Sequence, residues 1–421
     1  MSIKQQVHYK LNDYPKLKRF AKRVYQRIGY EFGDKKRCIG NVEKVSPTDL
    51  EHDYYFGYYD KSPWDATGRY MLCLKQKDAR KLPESSDGTD IILIDTEKEF
   101  SDLDRFMTIA VTHTCNVQQG CMLQWLGPDY STKIIYNDFR NGSYVSVILD
   151  VFSKEERILN CPVYSVSNDG NFALSLDFSR LSNMRPGYGY CNIPESTVGV
   201  GCPQETAIWK LDIAGNTIEP ILKYTDFAEF NPRPDMMQNS SVHKVNHIMI
   251  SPDGKRFMVI YRWLNGNRKH SRLITCNVDG SEMYLLSDYD IVSHCCWKDN
   301  EHILAFAANK DGIGYYLFTD KNAKCQHVLH ELTKDGHPGF SPDGASIVTD
   351  TYADKRRMCS LFVIRNGEVK TLAKVFEPFE YDNDTRCDLH PRWSRDGRKI
   401  CIDAAFEGRR GLYVINLEDS V

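Results

Sequence analysis

Several signatures are missing from this sequence, and each absence closes off a class of protein. None of the 14 cysteines stands in a C-x-x-C pair, so zinc-ribbon spacing is absent, and 421 residues are far too many for a disulfide-stapled miniprotein. Most of these thiols are therefore expected to fill core positions. No segment approaches the roughly 20 consecutive apolar residues of a membrane span. Met1 to Tyr30 has no apolar run of signal-peptide length, which leads to the expectation of a cytoplasmic protein. The formal net charge is only −3, so no global field draws in nucleic acid, and none is expected as a partner. An anionic ligand would have to meet local clusters of Arg, Lys and His. A G-x-S-x-G elbow is also lacking, which argues against a serine hydrolase.

What the sequence has instead is repetition. A chain of this length exceeds the usual single core, so several domains or one repeating fold must account for it. Four segments share one pattern: His, two variable residues, a large apolar residue, a short polar stretch, then Asp followed by Gly or Asn. They run from His247 to Gly254, His294 to Asn300, His337 to Gly344 and His390 to Gly397. A strand-like run follows each, then a second one, often closed by turn residues such as Asp279-Gly280 or Asn366-Gly367. Weaker copies lie at Lys61 to Gly68, Gln119 to Asp129 and Val163 to Gly170. Seven units start near Tyr55, Asn116, Cys161, His243, Tyr289, Asp335 and Cys387. This is the signature of propeller blades of about 40 to 50 residues. It predicts an all-β, seven-bladed β-propeller over residues 51–421, with a short N-terminal α-helical extension over 1–50. A β-sandwich with a second domain gives no reason for one turn motif to recur at blade intervals. Trp64, Trp125, Trp297 and Trp393 are expected to pack blades together.

Two segments stand outside the repeat. Tyr14 to Tyr30 carries Lys16, Lys18, Arg19, Lys22, Arg23 and Arg27 without an acid, while Leu17, Phe20, Val24 and Ile28 fall at helical spacing. Such a basic amphipathic helix either packs its apolar stripe on the side or base of the propeller or makes peripheral contact with an anionic membrane surface. The second segment, Ser182 to Pro203, is a Gly-, Pro- and Tyr-rich insertion in the third blade, a candidate binding rim.

The repeat turns linear spacing into convergence. In a propeller the residue just before the inner strand lies at the mouth of the central channel, and His247, His294, His337 and His390 hold that position in four consecutive blades. Their rings are expected to approach one point, as a divalent transition metal or an anion site requires. The plainer reading is that each satisfies a strand-end backbone group or plugs the channel. A second cluster joins Tyr164, Arg180, Arg185, Tyr188 and Tyr190. Guanidinium forks bind carboxylates and tyrosines offer stacking faces, so together they suit an acidic sugar. Arg262 extends this basic surface.

The stretches Tyr55 to Lys61, Gln118 to Trp125, Arg185 to Tyr190, Ser293-His294 and His390-Pro391 are similar, as a set, to the propeller-type polysaccharide lyases. The chain resembles oligogalacturonate lyase and the propeller ulvan lyases over nearly everything after about Tyr54. That resemblance implies β-elimination on an acidic oligosaccharide or polysaccharide. It implies a divalent metal, Mn2+ in oligogalacturonate lyase, held by His294 and a His-Pro histidine, His337 or His390. The second histidine of that family's His-Pro-His sequence is replaced here by Gly339 and Arg392. The resemblance to ulvan lyases implies Tyr164 as the proton-transferring group and Arg180 as the neutraliser of the substrate carboxylate, with Gln118 and Gln119 where histidines accompany them. Elimination demands these types of residue. Enediolate charge must be neutralised by Arg, His or a metal, and one Tyr can serve as base and then acid if nearby cations lower its pKa from about 10. The alternative from another class is a non-catalytic propeller that binds a glycan or a protein partner.

Overall fold

A computed structural model describes residues 15–33, 36–237 and 240–418. Seven antiparallel sheets follow one another along the chain as the blades of a β-propeller. Blade 1 begins at Asp53–Tyr55, blade 2 at Gln124–Trp125, blade 3 at Ser165–Val166 and blade 4 at Ser241–Ile250. Blades 5, 6 and 7 begin at Val292–Trp297, Gly339–Phe340 and Arg392–Trp393. Each of these is an inner strand, and the sheet then runs outward in sequence order.

The repeated Ser-x-Asp-Gly signature is a turn with a fixed hydrogen-bond set. Ser251, Ser341 and Ser394 each donate from Oγ to the Asp two residues on, at 2.8, 2.5 and 2.6 Å. Each Oγ also accepts the backbone N–H five residues on. The glycine that follows the Asp, for example Gly254 at φ 72°, occupies the left-handed region open to a residue without Cβ. Blade packing uses the tryptophans as expected. The indole N–H of Trp125, Trp297 and Trp393 donates to Pro63, Met249 and Gly339 of the preceding blade at 2.8, 3.0 and 3.0 Å. Cysteines follow the same logic, since eight of the 14 are buried.

The ring closes with residues before position 51. Glu43–Lys44 pairs with Gly411–Asn416 as the outer strand of blade 7, and Cys38–Ile39 adds a fifth strand to blade 6. Closure of this kind leaves fewer free sheet edges.

The expected helix is present as α1, Pro15–Glu31, although Tyr14 and the side chains of Lys16, Lys18 and Arg19 lie outside the described parts. Its apolar stripe does not pack on the propeller. Arg23 donates to Asp382 and to the Phe379 carbonyl at 2.9 Å each, Gln26 reaches the Asp354 carbonyl at 3.2 Å, and Tyr30 stacks on Phe376 at 5.0 Å. Leu17, Phe20, Val24 and Ile28 point the other way and are 54, 67, 41 and 54% exposed. The reason is geometric: Arg23, Gln26 and Tyr30 recur at i, i+3 and i+7, so they form a face of their own opposite the stripe. No described helix is long and apolar enough to cross a membrane.

Candidate functional site

Two cavities lie at opposite ends of the channel. In blade 5 Ser293 borders one and Trp297, near the far end of the same inner strand, borders the other. Between them Tyr58 and Tyr59 fill the axis. The Tyr59 hydroxyl donates to the Cys295 carbonyl at 2.8 Å and accepts from the Cys295 N–H at 3.1 Å, while the Tyr58 hydroxyl lies 2.6 Å from His247 Nε2.

The four repeat histidines meet around these tyrosines. Ring centroids are 5.4 Å apart for His247 and His294, 4.0 Å for His294 and His337, and 4.4 Å for His337 and His390. Two of them, His247 at φ 54° and His390 at φ 45°, hold left-handed backbone. That conformation is uncommon outside glycine and gathers at functional sites. The rings nonetheless divide into two kinds. His247 is taken up by Tyr58, and His294 Nδ1 faces Asp335 Oδ1 at 3.1 Å. His337 and His390 instead share a point with Asp388, their ligating atoms lying within 4.8 Å of one another.

Two atoms at that point, His337 Nε2 and His390 Nε2, are buried and make no hydrogen bond, and Asp388 Oδ2 beside them is ion-paired with Arg386 Nε at 2.7 Å. Buried polar atoms without partners are rare, so two imidazole nitrogens left so beside a carboxylate fit a bound cation. Asp350 sits 2.8 Å from His337 Nδ1, which keeps a proton on that nitrogen and aims Nε2 at the cluster. Burial opposes the charged ring, but the carboxylates raise its pKa, so a bound metal would take the place of the proton on Nε2. Burial and the neighbouring His337 hold His390 neutral, well below the usual histidine range. Two imidazole nitrogens and one carboxylate oxygen suit a divalent Mn, Fe or Zn ion.

Asp388 also belongs to the wall of a cavity of about 590 Å³. Seven cations line it (Lys22, Arg185, Lys244, Arg262, Lys269, Arg357, Arg386) together with five carboxylates (Asp335, Glu377, Asp382, Asp384, Asp388). Arg357 pairs with Glu377 at 2.7 Å, Arg386 with Asp388 at 2.7 Å, and Asp382 with Arg23 at 2.8 Å. Five cations then face Asp335 and Asp384. They press on one another: burial and Arg185 push Arg262 down to about 10. Lys269 is exposed as a residue, yet Arg262, burial of its charge and Arg185 bring it to about 7. Lys244 is buried and lies well below its ordinary range, through burial and then the same two arginines. An anion would relieve this crowding. Tyr352 completes the wall, its ring 5.8 Å from His337 and 5.1 Å beneath the Arg386 guanidinium, with burial holding its hydroxyl protonated far above the usual range.

The cavity at the other end, about 340 Å³, offers less. Trp125, Trp297 and Trp393 border it, Asp60 pairs with Lys61 at 2.7 Å and Arg392 with Asp403 at 2.8 Å, and Arg395 donates to the Trp64 carbonyl and stacks on Tyr130. A second group of ligand type, Asp235, His270 and Asp290, is bridged by Arg233, 2.8 Å from each carboxylate, and reads as an ion-pair network.

The residues expected to carry proton transfer and carboxylate neutralisation do not form a pair. Arg180 is buried and spends its donors on Glu195 at 2.6 Å, Thr197 at 2.9 Å and the carbonyls of His243, Val200 and Gly201. It ties the insertion to blade 4 and offers nothing to a ligand. Tyr164 is buried in the channel wall, where its hydroxyl accepts from Gln119 Nε2 at 2.9 Å and donates to Asn246 Oδ1 at 3.1 Å. Burial raises its pKa well above the usual tyrosine range, with Gln119 opposing, where the expected role needs it lowered by cations. Tyr190 has no free stacking face: it stacks on Phe178 at 4.4 Å and accepts from Asn137 at 2.9 Å. Tyr188 is buried too, its hydroxyl 3.1 Å from Arg386 and its ring 3.8 Å from the Arg185 guanidinium. Arg185 and Arg262 do reach the cavity. Lys244, Lys269, Tyr352, Arg386 and Asp388 were not singled out from sequence. A carboxylate two residues before a repeat histidine was the one local cue, and it marks Asp335 and Asp388 alike.

No protein-family model matches the chain, and no curated protein matches it in sequence. Among solved structures, the oligogalacturonate lyase of Vibrio parahaemolyticus is similar with a TM-score of 0.61 and 12% identity, over 91% of this chain and 98% of that one. An oligogalacturonate lyase in complex with manganese matches with a TM-score of 0.61 and 14% identity, over 90% and 96%. At such identities the likeness is one of fold.

Proposed function

We propose that the protein is a carbon–oxygen lyase that cleaves a uronate-containing oligosaccharide or polysaccharide by β-elimination. One observation carries the reading: a single cavity sets Arg185, Arg262 and Lys269, with no carboxylate paired to them among the described residues, beside the His337–Asp388–His390 cluster. Taking the proton from the carbon next to a carboxylate builds enediolate charge, so that carboxylate must be neutralised first. Arg185 supplies a forked donor, and Arg262, whose Nε and Nη2 are held by Ser271 and the Val292 carbonyl, adds its charge, as does Lys269. Lys244, kept neutral by burial and by those arginines, suits the base that accepts the proton. The bond from the neighbouring carbon to the glycosidic oxygen breaks, and Tyr352, protonated at neutral pH, suits the acid that donates to the departing oxygen. These assignments replace Tyr164 and Arg180, whose polar groups are consumed inside the protein.

His337, Asp388 and His390 would hold a divalent metal, which when bound supplies Lewis-acid stabilisation of the carboxylate charge. The shared fold with oligogalacturonate lyases, one of them described in complex with manganese, supports both the substrate class and the type of metal.

The reading is tested by incubating the protein with a panel of uronate-containing glycans, with and without Mn2+, while following the ultraviolet absorbance of the unsaturated product. Rising absorbance with one acidic glycan is expected. A flat trace accompanied by tight glycan binding would turn the assignment to a non-catalytic glycan-binding propeller.

A further inference from the structure

Among the described residues the apolar side of α1 is left without a partner, and it is not a scatter of single residues. Leu17, Phe20, Val24 and Ile28 recur at i, i+3, i+7 and i+11, and Tyr25 and Phe32 flank them at 56 and 89% exposure. Contiguous exposed apolar faces of this kind on soluble domains mark binding surfaces. The helix is basic, with six Lys or Arg and one carboxylate, Glu31, at its end; of these bases Arg23 and Arg27 meet the propeller at Asp382 and Phe379. Its first turn has no acid and its last turn no base, the reverse of what the helix macrodipole favours. The helix therefore owes its place to the face packed on the propeller, and its outward composition answers to something else.

We propose that α1 docks the protein onto an anionic lipid bilayer, with the apolar stripe in the headgroup region and the basic flanks on acidic lipids. An amphipathic helix with aromatic and aliphatic residues on one face and Lys or Arg beside it has the chemistry of an in-plane interfacial helix. Charge complementarity distinguishes this occupant from a second copy, whose identical helix would bring like charges together. The packed face fixes the orientation. Arg23 is paired with Asp382, which lines the candidate cavity, and Lys22 lines it directly. Docking in this pose brings the rim of that cavity to the lipid surface.

The test is flotation of the full chain with vesicles of phosphatidylcholine containing phosphatidylglycerol, against vesicles of phosphatidylcholine alone. Co-flotation with the anionic vesicles, weakened by high salt, is expected. Phe20→Ser with Ile28→Ser should lower vesicle partitioning at least about tenfold, and Lys16→Glu with Lys18→Glu by a similar factor. The thermal melt of the Phe20→Ser, Ile28→Ser variant should be unchanged, because both side chains are more than half exposed. Failure of the wild-type chain to float with anionic vesicles overturns the proposal. So does equal flotation of the Phe20→Ser, Ile28→Ser variant, or a concentration-dependent dimer in sedimentation that this variant abolishes while vesicles bind nothing.

Discussion

His337 is held by Asp350 at Nδ1, 2.8 Å away, so that its other nitrogen, Nε2, lies buried and unbonded beside Asp388 and His390. Carboxylates placed behind metal-binding imidazoles fix both the tautomer and the ring orientation. The same arrangement here aims the second nitrogen of His337 at Asp388 and His390.

Removing a ligand at this cluster should abolish metal binding without unfolding the propeller. His390→Ala is expected to lose measurable Mn2+ affinity, and Asp350→Asn to weaken it about 10- to 100-fold, through orientation alone. Titration calorimetry with Mn2+ checks both. Undiminished binding in His390→Ala would move the metal elsewhere, the Asp235–His270–Asp290 group being the next place to look.

Binding of a uronate should be linked to protons at neutral pH. Lys269, at about 7, is close to half neutral in the free protein, and a bound carboxylate raises its pKa, so the complex takes up a fraction of a proton between about pH 7 and 8. Calorimetry in two buffers of different ionisation enthalpy measures that fraction. It should vanish in Lys269→Met, and affinity in the wild type should fall as pH rises above 7.

Lys244→Met should cut the elimination rate by about 10² to 10⁴, the usual contribution of a positioned general base. Tyr164→Phe should behave differently. It loses hydrogen bonds to Gln119 and Asn246 and is expected to cost about 1 to 2 kcal/mol of stability while keeping the rate. A Tyr164→Phe protein that is stable but inactive would restore that residue to the chemistry.

Arg180→Leu leaves Glu195 buried opposite no charge and should destabilise the fold by about 3 to 5 kcal/mol. Denaturant unfolding measures the loss. A variant of full stability with weakened glycan binding would return Arg180 to the site.

Acid should weaken the protein through His243. Burial lowers its folded pKa to about 4, against 6.5 for the free group. Between those values the unfolded chain binds the extra proton, so stability is present above pH 6.5 and is lost as pH falls toward 4. The loss is on the order of 3 kcal/mol. Urea unfolding at several pH values should show that slope in the wild type and a shallower one in His243→Gln.

The propeller was legible because its signals are local. A Ser that bonds an Asp two residues on and a glycine at positive φ form the same turn wherever they occur, so their recurrence at Ser251, Ser341 and Ser394 counts blades directly. The histidine convergence was legible for a related reason: equal positions in successive repeats are carried to one axis by the rotation between blades. Sequence also marked α1 as amphipathic, yet both faces of that helix can pack, and only contacts with Phe379 and Asp382 decide that the basic side does.

What the sequence by itself determined is thus the architecture, the blade count and the approach of four imidazoles to the channel, all consequences of short-range rules repeated in register. Which of those rings has a free nitrogen was decided by tertiary structure. So was the fate of the two arginine groups: Arg180 is buried against Glu195, whereas Arg185, Arg262 and Lys269 crowd one cavity. The physical reason is that hydrogen-bond saturation and charge crowding depend on neighbours far apart in the chain. Asp350 behind His337 and Asp388 from the next blade beside it are such neighbours, and no spacing rule brings them together.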